Sequence, residues 1–145
     1  VKEKLFAGRH FLVAEDNAIN AEILCELLRI CGAESVLETD GVQAVRAFQE
    51  AEPGTYDAVL MDIQMPEMDG YEATRMIRRT TRADAANIPI IAMTANAFAE
   101  DVQNAREAGM NAHVSKPIDL NVLQTTLQRI LQDKSISRKD MEGET

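Results

Sequence analysis

The sequence predicts an α/β fold in which five short strands alternate with five helices. Two observations support this prediction: short apolar runs with β-branched members recur along the chain, and the segments between them carry apolar residues at helical spacing. Strands that alternate with helices pair in parallel through right-handed crossovers, so we expect helices on both faces of the sheet. The 145 residues are the size of one domain, which can bury a core without disulfide or metal support.

The first half of the chain carries three predicted strands and two predicted helices. Gly32 is placed to stop the first helix, Asp40 opens the second, and Pro53-Gly54 closes it. In order, this half is predicted to contain a strand at 11–14, a helix at 18–31, a strand at 34–39, a helix between Asp40 and Pro53, and a strand at 58–61 that ends at Asp62.

The second half begins with a loop, because Pro66 cannot continue a strand and Asp69-Gly70 is typical of a turn. Asp69 is then a predicted helix cap with Glu72 as its reciprocal partner, and Asp119 is a predicted cap of the last helix. The predicted elements are a helix at 69–79, a strand at 88–93, a helix at 97–108, a strand at 112–115 and a helix at 119–132. We therefore expect a domain over residues 9–132 and a linker or disordered tail over 133–145.

Each predicted helix has apolar residues that we expect to face the sheet. In the first helix they are Ile19, Ile23, Leu24, Leu27, Ile30 and Cys31, and in the second they are Val42, Val45 and Phe48. In the third they are Tyr71, Thr74 and Met76 or Ile77, in the fourth Phe98, Val102 and Ala105, and in the last Leu120, Leu123, Leu127, Ile130 and Leu131.

Composition restricts the class of protein. A net charge of −9 and an isoelectric point near 4.7 argue against a nucleic-acid surface, which requires a basic patch. Cys25 and Cys31 lie about 9 Å apart along the predicted helix, too far to bridge, so we expect reduced thiols in or near the core. No apolar run approaches the ~18 residues of a membrane span and the start lacks a secretory signal, which favours a cytoplasmic location with no membrane segment.

Polar side chains follow four of the five predicted strands. Glu15 and Asp16 follow the first strand, Asp62 the third, Thr94 the fourth and Lys116 the fifth. Because the carboxyl ends of parallel strands meet at one edge of the sheet, we expect these side chains to lie together. Each one alone also fits a cap, a turn or a surface charge. Three converging carboxylates, however, repel one another by on the order of 1 to 4 kcal/mol per pair near a surface, so the cluster predicts a bound cation.

Magnesium fits this cluster, because Mg²⁺ prefers oxygen ligands and is commonly held by carboxylates together with a substrate phosphate; Mn²⁺ is the alternative. The Thr94 hydroxyl and the Lys116 ammonium would flank Asp62 as a hydrogen-bond donor and a cation, suited to hold phosphoryl oxygens during in-line transfer. Asp62 is then the candidate nucleophile that forms an acyl phosphate. An ionised carboxylate needs no general base for this step.

At these residues the chain resembles the response-regulator receiver domains of two-component signalling. The similarity covers residues 9 to about 132 and rests on four motifs in receiver-like order: Glu15-Asp16-Asn17, MDIQMPEMDG around Asp62, IAMTANA around Thr94 and VSKPI around Lys116. The resemblance implies a flavodoxin-like three-layer sandwich whose five-stranded parallel sheet has the order 2-1-3-4-5, with the site between strands one and three.

The resemblance also implies roles for the site residues. Asp62 would take a phosphoryl group from a histidine kinase or a histidine phosphotransfer protein, and Thr94 and Lys116 would contact that group. Glu15, Asp16 and Asp62 would bind Mg²⁺, with the main-chain carbonyl of Gln64 as a further ligand.

The resemblance also implies how phosphorylation at the site would affect a partner surface. Thr94 and His113 would form the switch pair, the Lys116-Pro117 peptide bond would be cis, and the face of helix four, strand five and helix five would bind a protein partner or a second receiver. No nucleic-acid partner is implied. In its own right the domain would be a phosphoacceptor with self-dephosphorylation only.

Two positions depart from the commonest receiver pattern: Glu15 stands where many receivers have Asp, and His113 stands where an aromatic residue is usual. At both positions the residue is similar to that of receivers fused to hybrid sensor histidine kinases, and a stand-alone regulator is the alternative.

Other classes of protein fit the sequence less well. A haloacid-dehalogenase-like phosphohydrolase would place a second acid where this chain has Gln64. A flavin binder would need a Ser/Thr/Gly-rich loop after strand one, and a receiver used only for docking would not need every phosphorylation residue.

Overall fold

The computed structural model describes residues 5–95 and 99–143, with side chains described for 5–95 and 101–132. Strands and helices alternate along the chain as predicted. They are β1 (His10–Ala14), α1 (Ala18–Ile30), β2 (Glu34–Glu38), α2 (Gly41–Glu50), β3 (Ala58–Asp62), α3 (Gly70–Arg79), β4 (Ile90–Thr94), α4 (Ala99–Ala108), β5 (Ala112–Ser115) and α5 (Leu120–Gly143).

The five strands form one parallel sheet in the order β2-β1-β3-β4-β5, which confirms the predicted topology. Every residue of β3 and β4 is buried, as expected of interior strands covered on both faces. The strand order reverses its direction between β1 and β3. Ligands of open α/β sheets bind at such a point, beyond the carboxyl ends of the strands.

Two apolar cores cover the two faces of the sheet and give the molecule three layers. One core is built with α2, α3 and α4, through side chains such as Phe48, Ile77 and Ala105. The other is built with α1 and α5, through Leu24, Leu28, Leu123 and Leu127.

Helix caps fix where several helices begin. Asp40 accepts a hydrogen bond from the main-chain N–H of Gln43 (2.8 Å), and Asp69 accepts one from the N–H of Glu72 (2.9 Å). The predicted reciprocal bond from Glu72 back to Asp69 is not formed within the described residues, because the Glu72 carboxylate contacts Arg75 instead, at 3.2 Å.

The predicted inner faces of the first two helices were wrong at several positions. Ile19, Ile23 and Ile30 are 70%, 50% and 55% exposed, and Val42 is 37% exposed. Of the predicted positions, Leu24 in α1 and Cys31 directly after it are buried, and Ala21 and Leu28 are buried in addition. The apolar residues of α1 cover more of its circumference than one face of the sheet can bury, so the excess lies in solvent.

The ends of the chain also differ from expectation. Helix α5 continues to Gly143, past residue 132 where we predicted that it ends. No proline interrupts this stretch, and extending an existing helix adds one hydrogen bond per residue without a new nucleation step. At the other end, Phe6 is buried and its ring meets that of Phe11 edge-on, 6.0 Å between centroids, so packing begins before the expected boundary at residue 9.

Candidate functional site

The carboxyl ends of the central strands surround an open cleft of about 880 Å³. Most of the residues predicted to form a site line this cleft: Glu15, Asp16, Asp62, Gln64, Thr94 and Lys116. His113 does not, since it lies on β5 and lines a separate cavity of about 220 Å³ beside α4 and α5.

Lys116 joins the two buried carboxylates of the cleft. Its Nζ lies 2.9 Å from Oδ2 of Asp62 and 3.0 Å from Oε1 of Glu15. Glu15 is 1% exposed and Asp62 is 3% exposed, so water screens these charges poorly. The Lys116 ammonium group therefore pairs with two carboxylates, and Asp16 adds a third carboxylate at the exposed mouth of the cleft.

Main-chain donors orient both buried carboxylates. The N–H of Asn17 donates to Oε2 of Glu15 at 3.0 Å, and the N–H of Gln64 donates to Oδ1 of Asp62 at 3.3 Å. The loops that follow β1 and β3 thus hold the carboxylates at the end of the strands that carry them.

Burial raises the pKa of the Asp62 carboxyl to about 7. The hydrogen bond from Lys116 lowers this pKa, and the neighbouring charge of Glu15 raises it further. For Lys116, burial by itself lowers the pKa, but the hydrogen bonds and charges of Asp62 and Glu15 together raise it above its ordinary value. Lys116 is therefore charged near neutral pH, whereas Asp62 is close to its titration midpoint without a further cation.

The acidic cluster fits a hard divalent cation. Glu15, Asp16 and Asp62 each offer a carboxylate oxygen, and the three oxygens lie within 4.8 Å of one another. Carboxylate oxygens are the ligands that Mg²⁺ prefers, and the open side of the cleft leaves room for water ligands. Gln64 also lines the cleft, where its main-chain carbonyl was predicted as a ligand.

Glycine is required where α3 meets the end of β3. A Cβ on Gly70 would lie 2.3 Å from the main-chain oxygen of Asp62 and 2.9 Å from Cα of Ile63. Because Gly70 also donates its N–H to the carbonyl of Ile63 at 2.8 Å, the first turn of α3 lies directly against the backbone that carries Asp62. The sequence indicated only a turn at this glycine.

Thr94 is 6% exposed and ends β4, and its main-chain oxygen accepts the N–H of Lys116 at 2.8 Å. The Lys116-Pro117 peptide bond is cis, the geometry that the family resemblance implies. His113 is exposed on β5. The predicted movement of the His113 side chain together with Thr94 stays a prediction.

Sequence reasoning missed several residues of the cleft. Asn20, Met65, Tyr71 and Asp101 also line it. Asn20 could have been found from the sequence, because it lies one turn after the helix cap Asn17. The main-chain N–H of Asn20 donates to the side chain of Asn17 at 3.0 Å. Tyr71 was assigned only to the inner face of α3, yet its hydroxyl donates to the main-chain oxygen of Asp101 at 3.4 Å.

Comparison with known proteins agrees with this geometry. The family model of the response regulator receiver domain matches residues 11–128. The peroxide stress-activated histidine kinase mak1 of Schizosaccharomyces pombe is 36% identical over 126 residues, which are 86% of this chain and 8% of that kinase. The chain therefore spans less than a tenth of that relative's length.

Two solved structures are similar in both sequence and fold. The receiver domain of the sensor histidine kinase PA1611 from Pseudomonas aeruginosa, with a magnesium ion coordinated in its active-site cleft, is 42% identical with a TM-score of 0.78, and the alignment covers 87% of this chain and 99% of that domain. In the Saccharomyces cerevisiae complex of the phosphotransfer protein Ypd1 with the Ssk1 receiver domain, the matched chain is 30% identical with a TM-score of 0.73, covering 83% of this chain and 87% of that one.

This chain belongs to the response regulator receiver domain family. Among the residues that the structure describes, no helix has the length and apolar character that crossing a membrane requires.

Proposed function

We propose that this chain accepts a phosphoryl group on Asp62 from a phosphohistidine of a histidine kinase or a histidine phosphotransfer protein. The observation that carries the proposal is the position of Asp62, a buried carboxylate held 2.9 Å from Lys116 within a cluster of three carboxylate oxygens. Glu15, Asp16, Asp62 and the carbonyl of Gln64 would hold Mg²⁺ or Mn²⁺. The cation would neutralise charge on the phosphoryl oxygens as transfer proceeds.

Each side chain has a defined task in the transfer. An oxygen of Asp62 forms a bond to phosphorus as the bond from phosphorus to the histidine nitrogen breaks, and the leaving imidazole keeps the electron pair. Lys116 releases part of its contact with Asp62 and pairs with a phosphoryl oxygen, while the Thr94 hydroxyl donates to another. Because a carboxylate attacks only when ionised, a bound cation that lowers the pKa of Asp62 favours the reaction near neutral pH.

The phosphodonor must reach the open side of the cleft, where α1 begins. Asn17 and Asn20 line the cleft, and Ile19, Ile23 and Ile30 form an exposed apolar stripe along the same helix. Exposed apolar stripes of this kind mark protein contacts. We place the docking of the phosphohistidine protein on this isoleucine stripe (Ile19, Ile23 and Ile30).

A second surface would respond to phosphorylation. We propose that the face of α4, β5 and α5 binds a protein partner or a second receiver differently in the two states, with Thr94 and His113 as the residues that couple it to the site. A phosphoryl group on Asp62 adds acceptor oxygens near Thr94, which would shift a two-state equilibrium at the start of α4. The exposed position of His113 supports its contact with a partner on this face.

The relatives suggest where the chain works. We propose that it is the receiver part of a hybrid sensor histidine kinase, located in the cytoplasm, because the kinase mak1 contains a region 36% identical to it. A stand-alone regulator remains the alternative. A haloacid-dehalogenase-like hydrolase is disfavoured, because the position two residues after Asp62 is Gln64, whose side chain cannot act as an acid.

The experiment that tests the proposal is phosphorylation by acetyl phosphate with Mg²⁺. Intact-mass spectrometry should show one added phosphoryl group that hydroxylamine removes, in the wild type and in Asp69→Asn. Asp69→Asn is the matched control, because Asn preserves the helix cap and the residue lines the same cleft. Retention of the adduct in Asp62→Asn would refute the assignment, and steady-state turnover of a phosphomonoester would indicate a hydrolase instead.

A further inference from the structure

The guanidinium of Arg78, on α3, is bound entirely by neutral oxygens. Its Nε and one terminal nitrogen donate to the carbonyl of Gly109 at 3.1 and 2.7 Å, and that nitrogen also donates to Oδ1 of Asn111 at 2.9 Å. Its other terminal nitrogen donates to the carbonyls of Ala85 and Ile88 at 3.0 and 2.7 Å. All five N–H groups are thus used, and no carboxylate pairs with Arg78 within the described residues.

These bonds are made where α4 ends. Gly109 has a φ of +111°, its N–H donates to the carbonyl of Arg106 at 3.1 Å, and the N–H of Met110 donates to that of Ala105 at 2.9 Å. This is the Schellman geometry that closes a helix. Because the carbonyl of Gly109 accepts twice from Arg78, α3 holds the last turn of α4.

The other end of α4 lies at the phosphoacceptor cleft. Asp101 lines that cleft and accepts the hydroxyl of Tyr71 at 3.4 Å, a long hydrogen bond. The bonds of Arg78 therefore lie at the end of α4 that is remote from Asp62.

We infer that Arg78 is a positioning residue that fixes the far end of α4, so that a change at Asp62 moves the near end of the helix about a stationary last turn. This inference rests on the proposed phosphorylation of Asp62. The near end of α4 then responds to a change at Asp62, while the turn at Gly109 keeps its contacts with α3.

The chemistry of the contact requires arginine. A guanidinium presents five donors in a fixed plane, which matches oxygens from two separate segments, 85–88 and 109–111, whereas a lysine ammonium offers three donors at one point. Burial lowers the pKa of Arg78, as expected for a cation that no carboxylate compensates. Arg78→Lys should keep the charge and lose most of the bonds.

Arg82 supplies a matched control. It is also largely buried, donates to Asp84 and to the carbonyls of Phe48 and Gln49, and lies over the ring of Phe48 with 4.6 Å from Cζ to the centroid. It therefore fastens the loop before β4 to α2, and within the described residues none of these bonds reaches α4. Arg82→Lys should cost stability of the fold without releasing the last turn of α4.

The test is amide hydrogen exchange of the wild type, Arg78→Lys and Arg82→Lys, with and without Mg²⁺ and beryllium fluoride, referenced to Leu60 in the core. In the wild type, we expect the mimic to change exchange at Asp101 and Val102 but to leave Gly109 and Met110 within about twofold. In Arg78→Lys without the mimic, protection at Gly109 and Met110 should fall about tenfold more than in Arg82→Lys. With the mimic, these two amides should respond only in Arg78→Lys.

Several results would overturn the inference. One is an unchanged last turn in Arg78→Lys; another is an equal loss in Arg82→Lys, which would make the effect one of general stability. If Arg78→Lys does not fold, Asn111→Ala is the milder variant, because it removes one side-chain acceptor of Arg78; protection at Gly109 and Met110 should still fall more than in Arg82→Lys. If the mimic changes amide exchange at neither end of α4 in the wild type, both the proposed function and the inference are contradicted. If the wild type responds as expected but Arg78→Lys exchanges like the wild type, only the inference is contradicted.

Discussion

At the scale of single residues, the site is a small group of charges that do not balance. Glu15 and Asp62 are buried against one ammonium group, and Asp16 completes the cluster at the exposed mouth. With all three carboxylates ionised, the cluster and its one lysine would carry two negative charges, which one divalent cation would neutralise. This charge deficit supports the proposed Mg²⁺ site.

Removal of Asp16 should abolish stabilisation by metal. Saturating Mg²⁺ should raise the free energy of unfolding of the wild type by roughly 1 to 3 kcal/mol, because it binds the folded cluster and not the unfolded chain. Thermal melts with and without Mg²⁺ should show this shift in the wild type and in Glu22→Ala, an exposed acid outside the cluster, but not in Asp16→Ala. An equal shift in Asp16→Ala would place the metal elsewhere.

Asp62 should also give the metal-free protein a characteristic pH dependence. Its pKa is raised from 3.8 to about 7 by burial, so the folded state binds this proton more tightly than the unfolded state does. The stabilising contribution of protonation is present below pH 4 and is lost as pH rises through about 7.

With chelator present, the stability of the wild type relative to Asp62→Asn should therefore fall between pH 5 and pH 7.5, by on the order of 2 kcal/mol. Urea unfolding at the two pH values measures the difference. Added Mg²⁺ should weaken the trend, because a nearby cation favours the carboxylate. A wild type that gains stability over the variant as pH rises would contradict the assignment.

At the scale of elements, the site depends on how closely α3 approaches β3. Gly70→Ala would place a methyl group 2.3 Å from the main-chain oxygen of Asp62, so α3 must move away. We expect a loss of about 2 kcal/mol or more in the free energy of unfolding, together with weaker Mg²⁺ binding. Gly54→Ala is the control: it has open space but a φ of +87°, so only the smaller backbone penalty of about 1 kcal/mol applies.

Helix α1 offers a test of the docking surface. Ile23→Glu should slow phosphotransfer from a phosphorylated histidine phosphotransfer protein at least about tenfold, because a charge then replaces apolar contact in the complex. Its rate with acetyl phosphate should be unchanged, since a small donor needs no docking surface. Val36→Glu, at an exposed apolar position on β2, is the control for added charge. Equal slowing with both donors would show damage to the site rather than to docking.

At the scale of the whole molecule, the sequence pattern predicted the parallel strands and the polar residues at their carboxyl ends, and the family resemblance supplied the strand order. Strands β3 and β4 are continuous apolar runs that end in a polar residue, and such runs are recognisable because both faces of the strand are buried. Their parallel arrangement brings Asp62, Thr94 and Lys116 together whatever the details of the helices. These predictions follow from topology.

Other features depend on contacts that leave no periodic signal in the sequence. The segment 80–87, between the predicted third helix and the predicted fourth strand, buries Ala85 and carries Arg82 against Phe48. The apolar residues of α1 exceed one face, so periodicity could not choose which of them the sheet covers. The bonds of Arg78 join residues about thirty positions apart, and only the folded chain brings these together.

The most direct test of the central claim is phosphotransfer from a histidine phosphotransfer protein that carries a radiolabelled phosphohistidine. With Mg²⁺, label should leave the donor and appear on the wild-type chain as a hydroxylamine-labile adduct, and it should stay on the donor when Asp62→Asn is supplied or when chelator replaces Mg²⁺. Transfer of label to Asp62→Asn at the wild-type rate, or transfer that ignores the chelator, would contradict the assignment of Asp62 and its metal site.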